Sequence, residues 1–295
     1  MAAAVLDTRS LVPPSLERRV DARAAATASR DLLARARITL TYAWRHHRVP
    51  HLAEPVLFTE WIQHRKLHDR DPRLPRLADK LLVKAEVARV LGPEWVTPTL
   101  WHGTALPLSS TWPAPFVVKS RHGSNQTVFV RSPDVDWPAL RHRTARWMSA
   151  RYGVWLDEWL YGEIERGLLV EPFIGGAGAL PIDYKLHVFA GRVAVVEVHL
   201  QRETAHRWLM LDRDWRPFDR HLDAPPRPRT LARMIEGAET LARDHDYVRV
   251  DLYEIAGNPR FGELTFYPGS GLHPIHPPSL DKTMGALWRE ARTRR

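Results

Sequence analysis

Residues 247–253 read YVRVDLY, in which Val248, Val250 and Leu252 alternate with Arg249, Asp251 and Tyr253. A period of two predicts a strand with one buried face. A turn signal follows at Gly257-Asn258-Pro259, and the return segment alternates Gly262, Leu264 and Phe266 with Phe261, Glu263 and Thr265. The pattern is a β-hairpin. Centring the turn on Gly257 sets Asp251 opposite Glu263 and Arg249 opposite Thr265, with Cβ atoms about 4.5–5.5 Å apart across each pair. Two opposed carboxylates call for a positive charge between them, and a divalent cation shared with a phosphate is the natural candidate. The competing reading is a solvated hairpin face.

The rest of the chain alternates helical and strand patterns. Residues 1–30 are Ala- and Arg-rich with Pro13-Pro14, and read as poorly ordered or loosely helical. Residues 31–48 carry a basic amphipathic helical pattern. It reads as a helix on the body of the protein or, given Trp44 beside Arg45, His46, His47 and Arg48, as a membrane-surface helix. FTEWIQHRKLH (58–68) predicts a helix with Thr59 as N-cap, and residues 69–77 a Pro-broken turn. Residues 77–91 predict a helix closed by Gly92-Pro93. Strands follow at 116–119 and 127–130, then a Trp-rich helix over 139–161. Next come an apolar strand at 167–174, the linker GGAGALP, and a hairpin from DYKLHVF through Ala190-Gly191-Arg192 to VAVVEVHLQRE. Residues 202–229 read as irregular, 230–245 as a helix, and a final helix starts near Leu280. Hairpins separated by helices, without strict βαβ alternation, predict an α+β fold with antiparallel sheets in two lobes.

Composition narrows the class. The chain has 295 residues, 44% hydrophobic and 26% charged, ordinary for a globular enzyme. No apolar run is long enough to span a bilayer. The N-terminus lacks the basic and apolar regions of a signal peptide. The chain has no cysteine, which excludes disulfides and thiolate chemistry and fits a cytoplasmic location. The net charge is +9, but only six of the 43 basic residues are lysines: Lys66, Lys80, Lys84, Lys119, Lys185 and Lys282. Where Arg is the default cation, a lysine marks a place that needs a compact point charge.

Three further groups carry candidate chemistry. Lys119 ends an apolar strand and precedes Ser120-Arg121-His122-Gly123-Ser124-Asn125-Gln126, whose backbone N–H groups and hydroxyls suit phosphate oxygens. The Walker A pattern is absent. Asp183, Lys185 and His187 share one face of a strand, either a polar site or a solvent edge. Glu171 closes an apolar strand before the Gly-rich linker and is placed to hold ribose hydroxyls.

Taken in order, Asp79-Lys80, FVVK with HGS, LVEPFI, RVD and GELTFYPGSG resemble the ATP-grasp superfamily. FTEWIQHRKLHDRDPRLPRLADK, DYKLHVF and VRVDLY are similar to its TupA-like branch, associated with teichuronopeptide and cell-surface polysaccharide biosynthesis. The resemblance covers about residues 55–285. It implies an ATP-grasp fold with a helical extension over 1–54, a helical subdomain over 55–115, one lobe over 116–174 and a second over 175–295.

The resemblance also implies roles. Lys80 and Lys119 contact the phosphates, and the loop with His122, Gly123 and Ser124 closes over them. Glu171, Phe173 and Ile174 hold adenosine, and Asp183 and Lys185 lie near the phosphates or the acceptor. Arg249, with Lys119 and Lys185, serves catalysis. Asp251, Glu263 and Thr265 face Mg²⁺, and residues 268–271 shape the acceptor site. Thr265 departs from the Asn common in the superfamily. The implied activity is an ATP-dependent, ADP-forming carboxylate–amine ligase acting on a small-molecule or glycan-linked carboxylate and an amine. The sequence leaves the general base open among His122, His187, His199 and His273. The rival readings are an ATP-dependent kinase on the same scaffold and a non-catalytic binder of nucleic acid or membrane. The ordered nucleotide-site residues disfavour nucleic acid, while the basic N-terminal region keeps a peripheral membrane contact in view.

Overall fold

The computed structural model describes residues 31–176 and 179–294. The expectation for residues 1–30, like Ala177 and Gly178 of the linker, lies outside them. The contacts divide the chain into two compact units, with the boundary in sequence between Val49 and Pro50. In the first, helix α1 spans residues 31–46 and leaves Leu32, Leu33, Leu40 and Trp44 exposed. No described helix is long and apolar enough to cross a membrane.

The second unit is α+β. Its helices are α2 (Phe58–His68), α3 (Leu74–Ala78), α4 (Val83–Leu91), α5 (Trp137–Ser149), α6 (Trp159–Gly162), α7 (Leu231–Leu241) and α8 (Pro278–Thr293). One antiparallel sheet holds β1 (Trp101–Gly103), β2 (Phe116–Ser120), β3 (Thr127–Val130) and β4 (Leu168–Pro172) in the order β1-β4-β2-β3. The other holds β5 (Asp183–Phe189), β6 (Arg192–Leu200), β7 (Arg207–Asp212), β8 (Tyr247–Ile255) and β9 (Asn258–Thr265) in the order β7-β6-β5-β8-β9. Helix α5 closes a small core with the first sheet through Phe116, Val118, Trp137, Leu140 and Val170. The larger core runs from α2, α7 and α8 across the second sheet.

Several elements differ from expectation, each for a local reason. The run 77–91 is not one helix. Asp79 takes an extended backbone, and its carboxylate accepts hydrogen bonds from the Leu81 and Leu82 N–H groups (2.8 and 3.2 Å), capping the turn that leads into α4. Thr59 does not cap α2, because Leu57 is the N-cap residue. Glu60 accepts from the Val56 and Leu57 N–H groups, which frees Thr59 to donate its N–H and hydroxyl to Asp281 of α8 (3.0 and 2.9 Å). Helix α5 ends at Ser149, short of 161, because Gly153 and Asp157 take left-handed φ of 82° and 57°. The segment expected to be irregular contains β7, an edge strand on β6. Its run Trp208-Leu209-Met210-Leu211 lacks the alternation that reveals a strand. The three-residue β1 also hides in the connector before β2.

Both long hairpins of the second sheet turn on two residues with positive φ: Ala190 and Gly191 (46° and 75°), and Ala256 and Gly257 (50° and 74°). Positive φ at both central residues matches the right-handed twist of the strands they join.

Candidate functional site

The β8–β9 register sets Asp251 opposite Glu263 and Arg249 opposite Thr265. The turn centres between Ala256 and Gly257, which shifts each partner by one residue from a Gly257-centred register, and a bulge past Asp251 compensates: Leu252 pairs with Phe261 and Asp251 with Glu263, leaving Gly262 unpaired. A Cβ on Gly262 would sit 3.0 Å from the Asp251 carbonyl oxygen. The bulge therefore suits glycine and brings the two carboxylates together.

The polar face of this hairpin is buried. Asp251 is 2% exposed and Arg249 8%. Arg249 donates through Nε to Asp251 Oδ1 and through Nη2 to Oδ2, both at 2.7 Å, and Lys185 donates to Oδ2 at 2.6 Å. Burial opposes charge on both cations, but the carboxylates prevail. Lys185 and Arg249 are each held above their ordinary values, chiefly by Asp251. Asp183 meets Lys185 at 2.8 Å and Arg202 at 3.3 Å, leaving its Oδ1 buried without a hydrogen-bond partner. The protein thus supplies much of the positive charge that the opposed carboxylates call for.

Glu263 is the half-exposed member of the pair. Its Oε1 accepts from the Thr265 hydroxyl at 3.2 Å and its Oε2 lies 3.7 Å from Lys80. The Thr265 hydroxyl in turn accepts from Arg249 at 3.2 Å, so it braces two charged groups. Among the described residues, no group of three or more His, Cys, Asp or Glu side chains is arranged to enclose a metal ion. Magnesium is commonly held by one or two carboxylates plus substrate phosphate oxygens. The Asp251–Glu263 pair and its hydroxyl neighbour fit that mode, and a protein-only cage is not built here.

Lys80 connects this hairpin to the phosphate-suited loop, donating to the Gly123 carbonyl at 2.6 Å. A Cβ on Gly123 would meet the side-chain ends of Gln126 and Ser120, which pack against this glycine. Asn125 takes a left-handed φ of 59°, and Ser124 at the tip is exposed. The root of the loop is pinned by Arg121, which pairs with Asp79 at 2.7 Å. Ser120 Oγ, His122 Nδ1 and Gln126 Oε1 are buried there without partners. Such orphans are rare in native folds, and three of them gather at the root of this loop. The His122 ring is buried with Nε2 3.3 Å from the Trp147 carbonyl, and burial pushes its pKa down. The backbone and Ser124, more than His122, form the free edge of the loop.

Glu171 is gripped by two lysines. Its Oε2 accepts from Lys119 at 2.6 Å and its Oε1 from Lys84. Burial pushes the Glu171 carboxyl up, but the two lysines outweigh it and hold it below the usual range. Lys84 also donates to the Thr97 carbonyl and the Thr99 hydroxyl (2.9 and 2.7 Å), and burial pushes its pKa down despite Glu171. Sequence reasoning did not select Lys84. The scarcity of lysine was its signal, since five of the six lie in or beside this region. Phe173 packs edge-on against Phe129 (6.0 Å between centroids) and, with Ile174, continues from β4 half-buried.

The turn Pro268–Gly271 holds Gly269, Ser270 and Gly271 at left-handed φ of 54°, 56° and 65°. The Ser270 carbonyl accepts from Gln63 (2.8 Å) and Lys66 (2.9 Å), and Lys66 also reaches the Ser270 hydroxyl at 2.7 Å. Burial lowers the Lys66 pKa to about 8 against the pull of Glu158 and Asp157. A Cβ on Gly271 would lie 2.5 Å from Gln63 Nε2 and 2.9 Å from the Thr59 carbonyl oxygen. Gly271→Ala is expected to destabilise the protein by about 1–3 kcal/mol, measured by urea unfolding; a loss under about 0.5 kcal/mol contradicts this reading of the turn.

Two antiparallel sheets joined by a Lys-braced loop and an acidic hairpin define an ATP-grasp protein. The chain matches TupA-like ATPgrasp over residues 60–289 and belongs to that family. No curated protein matches it in sequence. Among solved structures it is similar to the D-alanine–D-alanine ligase of Bacillus anthracis, with 15% identity, a TM-score of 0.46, and coverage of 74% of this chain and 67% of that one. It is similar to the ATP-grasp ligase PsnB complexed with a phosphomimetic variant of minimal precursor, Mg and ADP (13%, TM-score 0.41, coverage 75% and 60%). The L-amino acid ligase of Bacillus licheniformis is a third (16%, TM-score 0.41, coverage 72% and 48%). The chain thus spans about two thirds or less of these chains.

Proposed function

We propose that the protein is an ADP-forming carboxylate–amine ligase, acting in the cytoplasm on precursors of a cell-surface polysaccharide or a related peptide. The observation that carries this reading is the Lys80 bridge: one ammonium lies 2.6 Å from the Gly123 carbonyl of the loop and 3.7 Å from Glu263 of the acidic hairpin. A group between them meets backbone, lysine and carboxylate together, as a metal-bound triphosphate requires. In this reading 116–174 and 175–295 are the two lobes, 55–115 is a helical subdomain, and residues 1–54 are an extension. The exposed Leu32, Leu33, Leu40 and Trp44, with Arg45 nearby, support a peripheral contact of that extension with an anionic membrane surface.

Phosphoryl transfer is chiefly positioning and charge neutralisation. A substrate carboxylate oxygen attacks the γ-phosphorus, the bond to ADP breaks, and an acyl phosphate forms. The amine nitrogen then attacks the acyl carbon, phosphate leaves, and the nitrogen sheds its proton. Lys80 and Lys119 bind the phosphates, with Lys84 and Glu171 fixing Lys119. Phe173 and Ile174 offer backbone to the adenine, and Asp183 orients Lys185. Arg249 and Lys185 hold the Asp251 carboxylate aligned, while Glu263 and Thr265 would complete the oxygens that meet Mg²⁺. When bound, that ion neutralises charge on the phosphate oxygens. The loop of His122, Gly123 and Ser124 excludes water from the acyl phosphate.

The test is nucleotide binding. MgATP is expected to raise the melting temperature of the wild-type protein, and Lys119→Ala to weaken ATP binding by about 10–100-fold, the loss of one charged hydrogen bond. Equal stabilisation of both proteins counts against the assignment. Product analysis separates the rival on this fold: a ligase releases phosphate only when carboxylate and amine are both present, whereas a kinase leaves phosphate on the acceptor.

A further inference from the structure

Arg65 of α2 pairs with Asp246, Arg73 beside α3 with Asp71 at 2.7 Å, and Arg89 of α4 with Glu86. Two arginines nearby are different. The side chains of Arg76 on α3 and Arg243 just past α7 are exposed and make no hydrogen bond or ion pair among the described residues. Both stand on the rim of one groove.

The groove is an open cavity of about 810 Å³ between α3, α4, α7 and β9. Its floor is apolar: Val83, Val87 and Leu264 are buried, and Leu77, Val90 and Leu241 rise half-buried around them. Its rim is basic. Arg73, Arg76, Arg89 and Arg243 stand there against two acids, Glu86 and Asp244. Leu264 lies between Glu263 and Thr265 on β9, so its side chain faces the other side of the strand. The groove is therefore on the reverse of the acidic hairpin, away from the nucleotide site proposed above.

The walls narrow the occupant. A nucleic-acid strand stacks its bases on aromatic side chains, and no Phe, Tyr or Trp lines this groove. A membrane surface takes up apolar side chains that project, whereas these are half-buried among exposed arginines. A peptide strand needs an open sheet edge. β9 is the edge of its sheet, but α3 and Pro93–Trp95 pack along it. A helix needs only a groove for one apolar residue per turn, at i, i+3 or i+4 and i+7. The walls α4 and α7 have 9 and 11 residues and run about 14–17 Å, close to three turns of such a helix. We propose that this groove docks an acidic amphipathic helix of a partner polypeptide, with its apolar face on Leu77, Val90 and Leu241 and its carboxylates on Arg76 and Arg243. Carboxylates at those two places offset the excess of positive charge on the rim, and a basic helix adds to it. The proposal stands apart from the ligase reading, since it uses none of the residues assigned to ATP.

The experiment is fluorescence anisotropy of the full chain with three labelled peptides of about four helical turns. One carries Leu at helical spacing and Glu elsewhere, the second has Lys in place of Glu, and the third is a scramble of the first. The Glu peptide is expected to bind saturably, at least tenfold tighter than the other two, and to weaken as salt rises. The double variant Arg76→Glu/Arg243→Glu breaks no internal ion pair, and its near-ultraviolet circular dichroism reports folding. It is expected to lose the Glu peptide at least tenfold and to gain the Lys peptide. Should charge reversal impair folding, Arg76→Gln/Arg243→Gln is expected to show the same loss of the Glu peptide. Glu263→Gln is expected to bind the Glu peptide as the wild type does, because Glu263 faces the other side of β9. The proposal is overturned if the Glu peptide binds no tighter than its scramble, if the folded double variants bind it as the wild type does, or if Glu263→Gln loses it. It is also overturned if single-stranded DNA or phosphatidylglycerol vesicles, and not the Glu peptide, bind through Arg76 and Arg243.

Discussion

Glu263→Gln leaves the protein folded and lowers Mg²⁺-dependent ATP turnover by about 10²–10³-fold, the scale of several kcal/mol of charge stabilisation. Glu263 is the right member of the acidic pair to change. It is half-exposed, with its nearest cations at 3.7 and 3.9 Å, and an amide oxygen can still accept from Thr265. The substitution therefore removes a charge without breaking a close ion pair. Asp251 offers no such separation: its removal strands buried Arg249 and Lys185, and any loss of turnover is then mixed with a loss of fold. The measurement is ATP turnover as a function of Mg²⁺ concentration, with urea unfolding as the control. A variant that is equally stable and turns over ATP at the wild-type rate removes Glu263 from the metal set.

This hairpin shows how pattern and geometry share the information. Alternation placed Arg249 and Asp251 on one face of β8 and Glu263 and Thr265 on one face of β9, and the structure pairs them as expected. The pairing survives for a reason the pattern does not display. The turn centres between Ala256 and Gly257, so the register beside it is off by one residue, and the bulge at Gly262 restores it. Periodicity reports which residues share a face, but a glycine in a strand is silent about whether the chain bulges there. Burial of that face was also hidden, since Arg and Asp read as solvated until a partner strand and Lys185 cover them. The rarity of lysine supported singling out Lys80, Lys119 and Lys185, which the family resemblance had assigned to the site. It did not show that Lys84 and Lys119 grip Glu171 from two sides, because those contacts join α4, β2 and β4. His187 and His199 stood among the candidate bases, but their shared partner Glu197 was illegible for the same reason: a single Glu gains meaning only when a sheet brings it to the imidazoles. The short β1 and the unalternating β7 lie at sheet edges, where neither length nor period marks a strand.

Asp246→Ala is expected to cost about 3–5 kcal/mol of stability, the scale for removing one partner of a buried ion pair. Asp246 holds Arg65 of α2, which is 2% exposed and stacked over Trp288 of α8 at 4.4 Å. It also accepts from the Trp288 indole N–H at 2.9 Å and the Tyr247 backbone N–H at 2.7 Å. Without it, a guanidinium is left in the core with only the carbonyls of Tyr247 and Phe266 (2.9 and 3.4 Å) and Asp69 at 3.4 Å. For a unit of this size each kcal/mol is about 2–4 °C, so the melting temperature falls by about 10 °C. The effect has a pH signature. Burial raises the Asp246 carboxyl, but Arg65 outweighs it and the folded pKa lies below the ordinary value. A depressed carboxylate adds stability above its unfolded pKa of about 3.9 and loses it as pH falls toward the folded value. The gap between wild type and Asp246→Ala is therefore full at pH 7 and narrows below about pH 4. A gap that stays constant across that range assigns the loss to packing alone and refutes the ion-pair account. The outcome bears on function, because the two carbonyls Arg65 grips belong to the first residue of β8 and the residue following β9. Loosening them shifts the strands that set Arg249 and Asp251, so Asp246→Ala is also expected to lower ATP turnover at temperatures where the variant remains folded.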